Sequence, residues 1–233
     1  MVGITAMAQV QDYRTFRNIS LGVSTAANCF VQDSEGMIWV GSEKGLYTYD
    51  GFSIYPHYEL GKLSNTHIYC AIRVGNSRFY LGSDNGLLIY NYRTECYENN
   101  PYIAPRDIRC MVRDGDNVWL GSINGLYLYS ITTDRCIRFR AGGGLPHNTI
   151  YSLIKASDGR VYIGTYNGFC YYDAKKRTFS RIALPDIGRK NNLFINSLLE
   201  DRLRHCIWIG TEGDLYRYDL STKQVSCIRM YHG

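Results

Sequence analysis

The chain has 233 residues, 45% of them apolar and 20% charged, which suffices for one large domain with a hydrophobic core and excludes both disorder and two ordinary domains plus a linker. Twenty-six basic against 21 acidic residues leave a formal charge of +5, but these are scattered, with no run longer than Lys175-Lys176-Arg177, so nothing builds the stripe that a nucleic-acid backbone needs. No stretch approaches the roughly 18 consecutive apolar residues of a bilayer span.

Twenty-one tyrosines, eight phenylalanines, three tryptophans and 23 dispersed glycines suit strands and tight turns, so the expected class is all-β. At the start, Ala6-Met7-Ala8 has the small-x-small form of an export-signal cleavage site, and residues 1–8 are expected to be a remnant of such a signal, with the folded domain over 9–233. The run Tyr13 to Ile19 reads as an extra outer strand.

A repeat then dominates the chain. Gly-[Ser/Thr]-x-x-Gly-[Leu/Phe] occurs at Gly41 to Leu46, Gly82 to Leu87, Gly121 to Leu126 and Gly164 to Phe169, with a degraded copy from Gly210 to Leu215, at spacings of 41, 39, 43 and 46 residues. Each first glycine follows an apolar-aromatic-apolar triplet: Ile38-Trp39-Val40, Phe79-Tyr80-Leu81, Val118-Trp119-Leu120, Val161-Tyr162-Ile163 and Ile207-Trp208-Ile209. A tyrosine recurs after each second glycine, at Tyr49, Tyr90, Tyr129, Tyr172 and Tyr218. With an apolar run upstream and another β-type run downstream, each unit predicts four short strands. Asn85-Gly86, Asn124-Gly125 and Asn167-Gly168 are expected to form type I′ hairpins between the second and third.

Four antiparallel strands per unit of about 40 residues, in tandem and with no helical period between them, predict a β-propeller. The units are placed at 20–55, 63–97, 103–139, 147–182 and 192–230. The recurrent Trp or Tyr is expected to wedge between neighbouring blades, since one blade cannot bury both faces alone. Five four-stranded repeats are present, and the extra strand beside an already complete fifth repeat points to an incomplete propeller of six to eight blades.

The string from Asp33 to Asp50, DSEGMIWVGSEKGLYTYD, resembles the two-component regulator propeller repeat, and Gly144 to Tyr151 is similar to the segment leading into that repeat's first strand. The resemblance covers residues from about 12 to 233. It implies the periplasmic sensor region of a hybrid two-component system histidine kinase, in which propellers precede an immunoglobulin-like domain, a membrane span and a kinase. It also implies an oligosaccharide ligand whose occupancy alters the geometry of a homodimer. The copies drift: Arg73-Val74-Gly75-Asn76 lacks the turn aspartate and Gly213-Asp214 displaces the fifth hairpin glycine.

Eight cysteines suggest disulfides in an exported chain, but Cys29, Cys70 and Cys110 share one repeat position and Cys96, Cys136 and Cys227 another, too far apart from blade to blade to be bridged. Free thiols are expected. The five histidines lack ligand spacing, so neither metal nor cofactor is expected. Gly142-Gly143-Gly144 lacks the Lys-[Ser/Thr] of a phosphate loop and reads as a flexible connection. The acidic residues Asp33, Asp114 and Asp158 sit at equivalent turns, where they hydrogen-bond their own backbone, and no catalytic residue is assigned.

Binding is then the expected role, at the face where inter-blade loops and hairpins meet. Those loops carry Tyr58, His67, Tyr102, Arg106, His147, Asn148, Arg189 and Asn192, rings that stack on sugars and planar groups that pair with hydroxyls. The expectation is a non-catalytic sensor of a glycan fragment. The alternatives are a protein-interaction scaffold and, below that, a polysaccharide-cleaving enzyme.

Overall fold

A computed structural model describes residues 25–57, 66–98, 107–185 and 193–228. The described residues contain twenty strands and no helix, arranged as five four-stranded antiparallel sheets. The first sheet holds β1 (Ala27–Gln32), β2 (Ile38–Ser42), β3 (Gly45–Tyr49) and β4 (Ile54–Pro56); the second, β5 (Ile68–Val74), β6 (Arg78–Ser83), β7 (Gly86–Asn91) and β8 (Cys96–Glu98). The third holds β9 (Ile108–Asp114), β10 (Asn117–Ser122), β11 (Gly125–Ser130) and β12 (Cys136–Phe139). The fourth comprises β13 (Ile150–Lys155), β14 (Val161–Thr165), β15 (Gly168–Asp173) and β16 (Thr178–Ile182), and the fifth β17 (Ile195–Asp201), β18 (Cys206–Thr211), β19 (Leu215–Asp219) and β20 (Val225–Ile228). The strand foreseen from Tyr13 to Ile19 and the expected signal remnant lie outside the described residues.

Strands follow chain order in every sheet. The innermost strands β1, β5, β9, β13 and β17 pack on one another in series, without comparable packing of β17 on β1. Among the described residues the five blades therefore follow one another in propeller order, with no comparable contact joining the fifth to the first.

Hydrophobic residues gather into four clusters, one per seam between successive sheets. The triplet explains this, because side chains alternate across a strand. The central ring faces the following sheet, while the flanking apolar residues face the preceding one: Trp39 packs with Phe79 and Leu81, and Tyr80 with Val118 and Leu120. In every seam the ring of one sheet meets the recurrent tyrosine of the next, with centroids 5.6 Å apart for Trp39 and Tyr90, 5.9 Å for Tyr80 and Tyr129, 4.8 Å for Trp119 and Tyr172, and 6.0 Å for Tyr162 and Tyr218. Burying one such ring is worth about 2–3 kcal/mol. On the fifth sheet the pattern has no continuation, and Trp208 is half-buried beside Leu199, which is 65% exposed.

The repeat glycines have separate tasks. A Cβ at the first would stand 2.6 Å from the Cys29 sulfur at Gly41, 2.5 Å from the Cys70 sulfur at Gly82 and 2.5 Å from the Cys110 sulfur at Gly121, so its absence lets the innermost strand and the next blade close up. The Ser or Thr that follows caps the hairpin: Ser42 Oγ donates to the Gly45 carbonyl at 3.0 Å and accepts the Lys44 N–H at 3.0 Å. Ser83, Ser122, Thr165 and Thr211 do the same.

The hairpins are not of type I′, which needs positive φ at both central residues. Only the glycine takes it, at 111° in Gly86, 146° in Gly125 and 122° in Gly168, while Asn85, Asn124 and Asn167 are absent from the positive-φ residues. The hydroxyl cap fixes an ordinary turn, and the glycine after it absorbs the reversal. The loop Gly142-Gly143-Gly144 is likewise shaped: all three residues have positive φ and Gly142 bridges to Leu145.

All eight cysteines are free. Burial pushes the Cys29 and Cys136 thiols up to about 11.

Candidate functional site

The register of every innermost strand slips at one place, between Ala27 and Cys29, Ile68 and Cys70, Ile108 and Cys110, Ile150 and Ser152, and Ile195 and Ser197. One residue per sheet is thereby left out of the ladder: Asn28, Tyr69, Arg109, Tyr151 and Asn196. Bulges of this kind re-aim a side chain. None of the five enters a seam cluster; Asn28 and Asn196 are exposed and the others half-buried.

The bulges lie at the hairpin end of the sheets. The backbone N–H of Asp84, in the β6–β7 hairpin, donates to the His67 carbonyl at 3.1 Å, that of Asp107 donates to the Asp84 carbonyl at 3.2 Å, and that of Tyr166 donates to the Thr149 carbonyl at 3.0 Å. Hairpins and strand entries thus form one rim at the hairpin end of the innermost strands.

Side chains on the rim make two patches. In the first, at sheets two and three, His67 stacks on Tyr69 with centroids 4.1 Å apart, and the Arg109 guanidinium sits 4.2 Å above the same ring. The nearest carboxylate oxygen to Arg109, on Asp107, is 3.8 Å away, beyond hydrogen-bond length. Arg109 Nε and Asp84 Oδ1 are both buried without a partner. Burial raises the Tyr69 pKa, against the pull of the Arg109 charge, so the phenol stays neutral and able to donate.

The second patch, at sheets four and five, is a run of rings. Tyr151 lies 4.6 Å from Phe194, Phe194 5.3 Å from Tyr166, and Tyr166 5.3 Å from His147; Tyr166 is 54% exposed. The first patch thus holds an unmet donor and an unmet acceptor, and the second offers ring faces on which an apolar or sugar ring can stack.

Of the eight residues expected from sequence, Tyr58, Tyr102, Arg106, Arg189 and Asn192 lie outside the described residues. His67 and His147 belong to the two patches, although the Nδ1 of His147 also accepts the Thr149 N–H at 3.0 Å. Asn148 is engaged in its own loop, its Oδ1 accepting the Ala141 N–H at 2.7 Å. The five bulge residues escaped sequence reasoning. A signal was present: in Ile68-Tyr69-Cys70, Ile108-Arg109-Cys110, Ile150-Tyr151-Ser152 and Ile195-Asn196-Ser197 the flanks repeat and the middle residue varies.

Comparison with known proteins agrees with this architecture. The family model described as two component regulator propeller matches residues 144–167. Two crystal structures of the extracellular domain of BT4673 from B. thetaiotaomicron, described in one case as part of a one-component and in the other of a hybrid two-component system, are 47% identical with TM-scores of 0.88. They are matched over 95% and 94% of this chain and 30% of theirs. The extracellular domain of BT3049, assigned to a hybrid two-component system of the same organism, shares the fold at 19% identity and a TM-score of 0.73, over 86% of this chain and 29% of that one. No curated protein matches. The chain thus spans about a third of these solved domains, with which it shares its fold. It belongs to the two-component regulator propeller family.

Proposed function

We propose that the chain is part of the periplasmic, ligand-sensing propeller of a hybrid two-component receptor, and that it recognises a glycan fragment at the channel mouth without cleaving it. The observation that carries this reading is the bulge repeated in all five sheets, which turns Asn28, Tyr69, Arg109, Tyr151 and Asn196 out of the seams at one rim. None of these residues belongs to an apolar seam cluster, which supports a role at the surface of the rim. Tyr151, Tyr166 and His147 supply ring faces for sugar stacking in one patch, and His67, Arg109 and Asp84 supply polar groups for hydroxyls in the other.

The half-buried Trp208 and exposed Leu199 support packing of the fifth sheet against a further blade. In the intact receptor, occupancy of the mouth would bias blade and dimer geometry, and immunoglobulin-like and kinase domains would transmit that bias.

Calorimetric titration with purified plant- and host-glycan oligosaccharides, followed by product analysis, tests the reading. Saturable heat without cleavage, lost in Tyr151→Ala and Arg109→Ala variants of unchanged melting temperature, is the expected result. Cleavage would establish an enzyme instead. Heat that both variants retain would move the site away from the mouth.

A further inference from the structure

The outermost strands of the third and fourth sheets carry an arginine at the same place. Arg138 on β12 stands opposite Tyr127 on β11, and Arg181 on β16 stands opposite Cys170 on β15. Their surroundings differ. The Arg138 guanidinium lies 5.5 Å from the centre of the Tyr127 ring and donates to the Asn124 carbonyl of its own hairpin, so ring and hairpin occupy it. In the fourth sheet a thiol stands where that ring was. Arg181 makes a single hydrogen bond, from Nη2 to the Leu145 carbonyl at 3.5 Å, and no ion pair among the described residues.

The hairpins differ in the same sense. A Cβ built on Gly125 would meet the Phe139 carbonyl at 2.9 Å and Arg138 at 3.2 Å, whereas one on Gly168 would meet only Pro146, at 3.3 Å, among the described residues. The outermost strand therefore closes on the hairpin in the third sheet and stands off it in the fourth.

A cavity of about 380 Å³ fills the difference. Pro146, Ile182, Leu184 and Leu193 give it an apolar lining, and the polar side chains on its described wall are those of Asn167 and Arg181. The Asn167 carboxamide is exposed and makes no hydrogen bond among the described residues. No carboxylate lines the cavity among the described residues, so the guanidinium borders apolar surface with its charge unmatched. Apolar walls with a few polar groups to fix orientation, at this size, are the features of small-molecule sites. A guanidinium that no protein acid has taken presents a fork that matches a carboxylate.

We propose that this cavity binds a small monocarboxylate with an apolar body, a short aliphatic or aryl acid. The carboxylate pairs with Arg181 and accepts from the Asn167 amide, while the body covers Pro146, Ile182, Leu184 and Leu193. A fully hydrated anion would leave those walls bare, and a neutral apolar molecule would leave the guanidinium unmatched. The site is independent of what the two rim patches hold.

NMR titration of the whole chain at pH 7.5 with phenylacetate tests it, with 2-phenylethanol as the neutral counterpart and inorganic phosphate as the anion without an apolar body. Saturable shifts are expected with phenylacetate alone. Arg181→Gln should weaken phenylacetate binding about tenfold or more, the loss of one charge-assisted contact, at an unchanged melting temperature because the side chain is exposed and unpaired. Leu193→Ala, at an exposed wall residue, should weaken it several-fold, and Arg138→Gln should leave it as in the wild type. Equal response to acid and alcohol, phosphate binding as tight as phenylacetate, loss with Arg138→Gln equal to that with Arg181→Gln, binding untouched by both cavity substitutions, or no saturable response from the folded wild-type chain would each overturn the proposal.

Discussion

The indole N–H of Trp39 donates to Oδ2 of Asp33 at 2.9 Å, while Oδ1 of the same carboxylate accepts the backbone N–H groups of Glu35 at 2.9 Å and Met37 at 3.0 Å. One side chain therefore ties the first turn of a blade to the ring that fills the seam. Trp119 with Asp114 at 3.3 Å, Tyr162 with Asp158 at 2.8 Å and Trp208 with Asp201 at 3.4 Å repeat the arrangement. The second sheet, which lacks the turn aspartate, has Tyr80 hydrogen-bonded to Tyr129 of the next sheet instead.

Asp33→Ala removes an acceptor for three donors, one of them a buried indole, and should destabilise the chain by about 1–3 kcal/mol. Asp33→Asn keeps one acceptor oxygen and should lose less. Urea denaturation of the two variants measures the difference, and equal losses would show that the carboxylate does not couple turn and ring.

Trp119 is 1% exposed, so Trp119→Ala should cost about 3–5 kcal/mol through the cavity it opens. Trp208→Ala, at a half-buried ring, should cost less than half as much. Calorimetric melting of both variants is the check; similar losses would mean that the fifth sheet is covered as fully as the third.

Gly121→Ala would bring a methyl 2.5 Å from the Cys110 sulfur and 2.7 Å from Ile150. Overpacking of this kind costs about 1–3 kcal/mol. Adding Cys110→Ala should recover part of the loss but not all of it, because Ile150 still stands in the way. Full recovery would place the whole clash on the thiol.

Acid should loosen the fold in two stages. Burial lowers the pKa of His57 from its ordinary 6.5, so the unfolded chain takes up the proton first; the stability from the neutral imidazole is complete above about pH 6.5 and declines as pH falls through that value. Burial of Asp158 opposes its ionisation, but hydrogen bonds from Arg160 and Tyr162 outweigh this and depress its pKa, and that of Asp219 is depressed by the Thr222 and Ser221 amides. Their contribution holds above the ordinary carboxylate range and is lost below about pH 4. Urea midpoints between pH 8 and 3 should show both stages in the wild type, with the upper one reduced in His57→Phe. An unchanged upper stage would rule out His57 as its source.

Cys96 is exposed, whereas burial pushes Cys29 and Cys136 up to about 11 and Cys70, Cys110 and Cys170 higher still. Because the thiolate is the reactive form and Cys96 alone is exposed, it is expected to be the fastest thiol in native disulfide-exchange titration, ahead of the half-buried Cys227, and Cys96→Ser should remove that fastest phase. An equally fast phase surviving both that change and Cys227→Ser would mean that an inner-strand thiol is open to solvent.

The blade was legible in the sequence because seam packing demands the same residue types at every repeat. The triplets around Trp39, Tyr80, Trp119, Tyr162 and Trp208 and the glycine pairs carry that demand openly. The hairpin type was not legible, since Asn-Gly favours I′ turns by local preference while the Ser or Thr two residues earlier imposes another geometry through its hydroxyl. The mouth was harder to read still. His67 and His147 lie in loops, where function was sought, but Tyr69, Arg109 and Tyr151 sit inside strands, and only the ladder slip shows that they leave the core. His57 was hidden for a related reason: one polar residue beside an outer strand looks like surface until its equivalents Phe139 and Ile182 are seen to pack at seams.

The ladder slip also separates two kinds of selective pressure. Asn28, Tyr69, Arg109, Tyr151 and Asn196 stand outside the apolar seam clusters, so exchanging them leaves those clusters whole, at the cost of polar and ring contacts such as that of Asn28 Nδ2 with the Ile68 carbonyl at 2.9 Å. A lineage could retune recognition one sheet at a time, and paralogous receptors would then differ most at the residue between the repeated Ile and the repeated Cys or Ser.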